Sequence, residues 1–498
     1  MHPPVPPTRV TAVAGPPLAV ADPRLFGSFV EHLGRGVYGG IYEPSHPTAT
    51  ADGFRGDVLE LVRELGVTVV RYPGGNFVSG YDWRDGIGPR EQRPRRLDLA
   101  WKSIETNEFG TDEFISWCRA AGVEPMLAVN LGLGDITSML HLVEYANHPS
   151  GTTLSDERIR NGSEQPHDVR LWCLGNELDG PWQLGHRTAE AYADLAASAA
   201  TALRMLDDDL ELVAVGSSNA QMPTFGDWER TVLARTVGLV DYLSCHIYFY
   251  DDGDLTAFLD SSRVLDGFLD EIAGFIRDAR AADEAARDVR ISLDEWNVWN
   301  YRAYDDLKPS RGFEHAPRIL EDQYTLADAV VVGTLLQSIL AHADVVSIAA
   351  MAQLVNVIGA IRAEAGAPAW RQATFYPFAQ VARSAGHTVH TVEAPVGSPV
   401  SVSVTRSPDG AEVLVHLANR STDAATTIEV DLAAVACVGI EAAEVLAHDD
   451  PHAVNTQQDP LAVAPRPLDA TLDGTLLRVE LPPVSWAGIR LASRPNGG

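Results

Sequence analysis

Two glutamates, Glu177 and Glu295, close two short apolar runs and carry the strongest chemical signal in the chain. The first run is Val169-Arg170-Leu171-Trp172-Cys173-Leu174-Gly175-Asn176-Glu177, which is followed by a turn at Asp179-Gly180-Pro181. The second is Val289-Arg290-Ile291-Ser292-Leu293-Asp294-Glu295, with Trp296, Asn297 and Trp299 just beyond. Short apolar runs bounded by turn signals read as buried strands. The C-terminal ends of parallel strands are where α/β enzymes hold their reactive groups. Two carboxyl groups held there are the minimum equipment for cleaving a glycosidic bond, one as acid and one as nucleophile or base. Either glutamate alone reads as an ordinary rim carboxylate, but together they share an amide or acid neighbour and nearby tryptophan. Aromatic walls strip water from a carboxyl group and favour its protonated form, as acid catalysis needs. Indole faces also stack on sugar rings, which suits Trp182, Trp296 and Trp299; a place in the core of the rim stays open for Trp296.

The elements that must position these residues alternate along the chain. Strand-like runs fall at Leu25 to Glu31, Val67 to Tyr72, Pro125 to Asn130 and Leu171 to Glu177. Four more fall at Leu212 to Ser217, Val240 to Tyr248, Val289 to Glu295 and Val345 to Gln353. Helical segments lie between them, including Phe54 to Leu65, Thr188 to Leu206 and Asp322 to His342. Eight such units predict a (β/α)8 barrel over residues 21–385, with an open doubly wound sheet as the competing fold. The strand ends also deliver Glu31 and His32, Arg71 and Asn76, His246 and Tyr248, and Gln353. Polar side chains converging on one mouth suit a small polyhydroxylated ligand. After about Gly386 short alternating runs replace helical periodicity, and Ser407-Pro408-Asp409-Gly410 reads as a hairpin turn. Residues 386–498 therefore read as an all-β sandwich. A short strand at residues 9–14, before the Pro16-Pro17 break, is expected to pair with it as part of a segment spanning 1–20.

Composition narrows the function classes. The 498 residues include 68 acidic and 38 basic ones, a formal net charge of −30. Such a surface repels nucleic acid and anionic membranes but not a neutral sugar. The four cysteines form no C-x-x-C pair and three lie in apolar runs, which reads as buried free thiols in a reducing compartment. No signal peptide or transmembrane segment is read, so a cytoplasmic location is expected. Gly34-Arg35-Gly36-Val37-Tyr38-Gly39 matches a dinucleotide fingerprint, but the following Gly40-Ile41-Tyr42-Glu43-Pro44 cannot open the helix such a site needs. The histidines form no ligand-spaced cluster, and neither metal nor cofactor is expected.

Gly175-Asn176-Glu177 and Asp294-Glu295-Trp296 resemble the acid/base and nucleophile motifs of the clan A glycoside hydrolases. Phe26-Gly27-Ser28-Phe29-Val30-Glu31-His32, Arg71-Tyr72-Pro73-Gly74-Gly75-Asn76-Phe77 and Gly175 to Trp182 together resemble family 51, the α-L-arabinofuranosidases. The resemblance implies a retaining hydrolase acting on terminal α-L-arabinofuranosyl groups of arabinan, arabinoxylan and their oligosaccharides. It implies Glu177 as acid/base and Glu295 as nucleophile, with Asn176 on the sugar 2-hydroxyl and Tyr248 hydrogen-bonded to Glu295. Glu31, Asn76 and Gln353 would bind the other hydroxyls, with Trp101 and Trp299 as aromatic walls. A homohexamer without a cofactor is implied as well. The sequence departs from the family pattern in carrying Leu178 where Met is expected, a near-isosteric change. Tyr250 stands two residues beyond Tyr248, so either tyrosine could reach the nucleophile. Another clan A activity, such as an endo-glucanase or β-xylosidase, and a non-catalytic sugar-binding protein are the alternatives.

Overall fold

The computed structural model describes residues 8–301 and 312–493. The first strand, β1 (Thr8–Val20), precedes a barrel that opens with β2 (Gly27–Phe29), β3 (Val69–Tyr72), β4 (Glu124–Ala128) and β5 (Leu171–Cys173). The barrel continues with β6 (Glu211–Ala214), β7 (Tyr242–Phe249), β8 (Arg290–Val298) and β9 (Val346–Met351). The eight strands are parallel and sequential, and the barrel closes where Ala350 and Met351 of β9 pair with Gly27 and Ser28 of β2. Closure rules out the open doubly wound sheet. Barrel strands are covered by helices outside and by packed side chains inside, so both faces are apolar and the runs look continuous. Val69, Met126, Leu171, Cys173, Val213 and Ile348 fill the interior. Below them, Arg24 bridges Glu124 and Glu211 at 2.6 and 2.7 Å and ties the starts of β4 and β6 together.

The expected helices are present with adjusted ends. Gly56–Leu65 buries Val58, Leu59, Leu61, Val62 and Leu65 on one face and stops at Gly66, whose φ of 80° needs a residue without Cβ. Ala189–Leu206 starts at Thr188, whose hydroxyl accepts from the Ala191 N–H. The helix expected from Asp322 begins instead at Leu326, because Thr325 caps it and exchanges hydrogen bonds with Asp328. It is buried almost all round, since it lies between the barrel and the C-terminal sheet. Gly333 fits against the Trp486 ring, and Gln337 donates to the His416 carbonyl at 2.8 Å.

That C-terminal unit is a ten-stranded sheet. In it β1 lies between Thr388–Glu393, to which it is antiparallel, and Thr426–Asp431, to which it is parallel. The expected stop at Pro16-Pro17 does not occur. The strand runs on to Val20 because the register shifts on either side of Pro17, and a bulge is where a strand tolerates proline. The hairpin at Ser407–Gly410 is present, with Gly410 at φ 72° donating to the Ser407 carbonyl. The glycines at 34–39 lie in successive turns, and the next helix starts only at Gly56.

Candidate active site

The mouth of the barrel gathers the predicted residues into one buried, hydrogen-bonded cluster. Glu177 follows β5 in a left-handed backbone conformation, φ 42°, just after Gly175 at φ 105°. This sharp exit turns its carboxyl group over the barrel axis; left-handed backbone in a non-glycine residue is sterically costly and concentrates at functional sites. Glu295 reaches the same space by a different route. Against β7, Ser292 and Glu295 of β8 pair with Ser244 and His246, so three steps on β8 match two on its neighbour. The extra residue is a β-bulge, which breaks the in–out alternation of the strand. Asp294 and Glu295 both face inward as a result, and Trp296 is sent outward with no exposed surface. Trp296 is therefore a core residue, and the sugar-stacking expectation does not hold for it.

One carboxylate oxygen of Glu177 lies within 4.8 Å of one from Glu295. The two groups have different partners. Glu177 faces His246 Nδ1 at 2.9 Å and accepts from the Trp182 indole at 2.8 Å. Glu295 accepts from Arg71 at 2.7 Å and from Tyr248 at 2.8 Å. Tyr250 instead meets Tyr301, hydroxyl to hydroxyl at 3.1 Å, which resolves the choice between the two tyrosines. Arg71 also donates to Asn176 Oδ1 at 2.7 Å and pairs with Asp294 at 3.2 Å. Asn176 in turn reaches Asn76 at 3.4 Å, and Trp299 stands edge-on to the Tyr248 ring at 5.2 Å.

Glu31 anchors the other wall. It accepts from the Phe77 N–H at 2.9 Å, the Trp101 indole at 2.8 Å and Gln353 at 3.1 Å. Gly75 is required beside it, since a Cβ there would stand 2.5 Å from Glu31 Oε2. Burial pushes the Glu31 carboxyl up to about 8, against the Phe77 and Trp101 hydrogen bonds. A carboxyl group whose folded pKa lies above its unfolded value costs stability progressively as pH rises between the two, here from about 4.5 to about 8. Below pH 8 the group keeps its proton and can donate to a ligand hydroxyl.

Burial also raises the Glu295 carboxyl, while His246, Arg71 and Tyr248 pull the other way. Burial alone would lower His246, but Glu295, Asp294 and Glu177 overcome it and hold the imidazolium well above its ordinary value. Asp294 ends below the usual carboxylate range because Arg71 and His246 outweigh its desolvation. Glu177, His246 and Glu295 include a metal-like donor set. Both ring nitrogens of His246 face carboxylates, however, Glu177 at 2.9 Å and Asp294 at 3.3 Å. That pattern suits an imidazolium with two protons, a form that offers no lone pair to a metal.

The partners of Arg71, Asp294 and His246 were not read from the sequence, where Arg71 and His246 appeared only as polar groups on strand ends. Trp182 was expected to stack on sugar; it is 48% exposed and its indole N–H is spent on Glu177.

A family model described as Alpha-L-arabinofuranosidase 1 domain matches residues 61–263, and one described as Alpha-L-arabinofuranosidase C-terminal domain matches 294–485. An intracellular exo-α-(1→5)-L-arabinofuranosidase of Streptomyces lividans is 48% identical over 96% of this chain and 74% of its own. The chain belongs to glycoside hydrolase family 51. A family 51 α-L-arabinofuranosidase structure from Bifidobacterium longum superimposes with a TM-score of 0.93 at 43% identity, covering 97% of this chain and all of that one. An arabinose complex of the Thermotoga maritima α-L-arabinofuranosidase gives 0.87 at 30% identity, with coverage of 97% and 100%. Among the described residues, no helix is long and apolar enough to cross a membrane.

In this family 51 barrel Arg71 pairs directly with both Asp294 and Glu295, at 3.2 and 2.7 Å. Removing one partner of a buried ion pair strands the other charge. Arg71→Ala is expected to destabilise the barrel by about 3–5 kcal/mol. Urea denaturation followed by tryptophan fluorescence checks this, and an unchanged midpoint would contradict it.

Proposed function

We propose that the protein is a retaining, exo-acting α-L-arabinofuranosidase that releases terminal α-L-arabinofuranosyl groups from arabinan, arabinoxylan and their oligosaccharides. The observation that carries the mechanism is that a carboxylate oxygen of Glu177 and one of Glu295 lie within 4.8 Å of each other. Retaining glycosidases hold their carboxyl groups about 5–5.5 Å apart, whereas inverting ones need about 6.5–9.5 Å to seat a water between them.

The two environments support different roles. Glu295 is the nucleophile: Arg71 and Tyr248 both donate to it and favour its anion against the cost of burial. Glu177 is the acid/base: it protonates the leaving oxygen while Glu295 attacks the anomeric carbon. Glu177 then takes a proton from the water that releases arabinose, and two displacements restore the starting configuration. Asn176, oriented by Arg71, holds the 2-hydroxyl, a contact that strengthens as positive charge develops on the ring. Glu31, Asn76 and Gln353 bind the remaining hydroxyls, and Trp101 and Trp299 wall the ring. No cofactor enters the scheme. An intracellular homohexamer completes the reading: relatives from Streptomyces lividans and Bacillus subtilis are named intracellular, and the four cysteines here are free.

The test compares an aryl α-L-arabinofuranoside with an aryl β-xyloside and follows the first-formed sugar by proton NMR. Preference for the arabinofuranoside by about 10²-fold or more is expected, with the α-anomer appearing first. First appearance of the β-anomer would overturn the double displacement, and equal rates would overturn the sugar.

A further inference from the structure

Asp294 stands next to the nucleophile in sequence, yet it has no exposed surface and cannot touch a substrate. The bulge that brings Glu295 into the mouth also turns Asp294 inward, and its two oxygens serve different neighbours. Oδ2 faces Arg71 Nε at 3.2 Å and the Cys173 thiol, a weak donor, at 3.8 Å. Oδ1 accepts from the Ser244 hydroxyl at 2.5 Å and faces His246 Nε2 at 3.3 Å. Ser244 Oγ itself stands 3.3 Å from the same ring nitrogen.

These contacts fix where the protons sit on His246. The Ser244 hydrogen is committed to Asp294, so its oxygen has only lone pairs to offer the ring. Nε2 therefore meets two acceptors and must carry a proton. Nδ1 lies 2.9 Å from Glu177 Oε1 and 3.7 Å from Glu295 Oε2. A ring protonated at Nε2 and set against two carboxyl groups at Nδ1 is held as a cation. The charges around it agree: Glu295, Asp294 and Glu177 all favour the imidazolium, and Asp179, two residues past Glu177, interacts with it as well. The cations facing Asp294 are Arg71 and His246, and Cys173 and Tyr192 are the other titratable groups that sense its charge.

We infer that Asp294 is a positioning residue for proton transfer, which acts through Nε2 to keep His246 doubly protonated against Glu177. The inference rests on the glycosidase reading above. When Glu177 gives its proton to the leaving oxygen, its carboxylate forms beside that cation. The same cation keeps Glu177 ionised until it takes a proton from the attacking water. Asp294 thus serves the acid/base from one oxygen while the other steadies Arg71, the partner of the nucleophile.

The test uses full-length Asp294→Asn, which keeps the shape of the side chain. An amide that leaves its oxygen on Arg71 turns its NH2 toward Nε2, which must then accept, and the ring becomes neutral. At pH 7, kcat/KM on a linear arabino-oligosaccharide is expected to fall about 10²-fold or more. The burst rate on a dinitrophenyl arabinofuranoside, whose leaving group needs no proton, should stay within about tenfold of wild type. The loss on the oligosaccharide should shrink as pH falls, because solvent protons restore the imidazolium, and grow as pH rises. On a His246→Gln background Asp294→Asn should cost no more than about threefold, since the group it acts through is gone. His246→Gln alone should show the same leaving-group dependence without the pH trend. Equal losses on both substrates at every pH would overturn the inference, leaving Asp294 as a brace for Arg71 only. Retention of the full cost of Asp294→Asn in the His246→Gln background would overturn it too. Should Asp294→Asn fail to fold, equal losses on the two substrates in His246→Gln would still do so. Wild-type inactivity on oligosaccharide and aryl arabinofuranoside alike would instead sink the glycosidase reading itself, a result distinct from all of these.

Discussion

Replacing Glu295 with Ala is expected to abolish hydrolysis, lowering kcat by about 10⁴- to 10⁶-fold. The size follows from what remains around the vacancy. Arg71, Tyr248 and His246 are donors and cations, and none of them can attack an anomeric carbon from that side. The fold should survive, because Arg71 keeps its pairing with Asp294 and no buried charge is left without a partner. Near-ultraviolet circular dichroism matching the wild type would establish that. Added azide fits the space left by the carboxylate, and the donors once aimed at Glu295 would receive it. Attack by azide is then the only displacement, so any glycosyl azide formed should have inverted configuration. Residual activity near a tenth of wild type, or an azide product of retained configuration, would remove Glu295 from the nucleophile role.

The barrel was legible in the sequence for a simple reason. Strands buried on both faces become unbroken apolar runs, and each was separated from the next by a segment of helical period. The same logic made the glutamates visible, since a carboxylate ending such a run has no reason to be there on packing grounds. What escaped was set by local irregularities. The sequence of β8 alternates plausibly through Trp296, and an ideal strand would send Asp294 and Glu295 to opposite faces. The bulge puts both inside and Trp296 outside, and nothing in the residue types announces one extra residue opposite β7. Pro16 and Pro17 misled in the converse direction, because a register shift absorbs them within β1. The ion pairing of Arg71 was hidden for a third reason: Arg71 and Asp294 are 223 positions apart and meet only when the barrel closes.

The positions of Tyr248 and Tyr250 show where geometry adds what spacing alone leaves open. Two residues apart on a strand, both should face the same way. Only Tyr248 still lies within β7, where its hydroxyl reaches Glu295 at 2.8 Å, while Tyr250 has passed beyond β7 and meets Tyr301. The hydrogen-bond partner, not the motif, separates them.

Glu177→Ala should behave differently from the Glu295 variant, and the difference depends on the leaving group. Departure of a sugar alcohol needs a proton, so loss of the acid is expected to cost about 10²- to 10⁴-fold on arabino-oligosaccharides. A dinitrophenolate leaves without one, so the first displacement on that substrate should stay near its wild-type rate. The second displacement still lacks its base. The arabinosyl-enzyme on Glu295 therefore accumulates, giving a burst of phenolate followed by slow turnover with a lowered KM. Azide needs no general base and should restore turnover on the aryl substrate. It attacks an intermediate that has already been inverted once, so its product should have retained configuration. The trapped intermediate also gives a direct measurement, a mass increase of one arabinosyl group on the peptide that contains Glu295. Equal losses on alcohol and dinitrophenyl leaving groups would count against Glu177 as the acid. Because its oxygens are held by Trp182 and His246 rather than by Arg71, the substitution strands no arginine charge, and slow turnover can be read as lost proton transfer instead of lost structure.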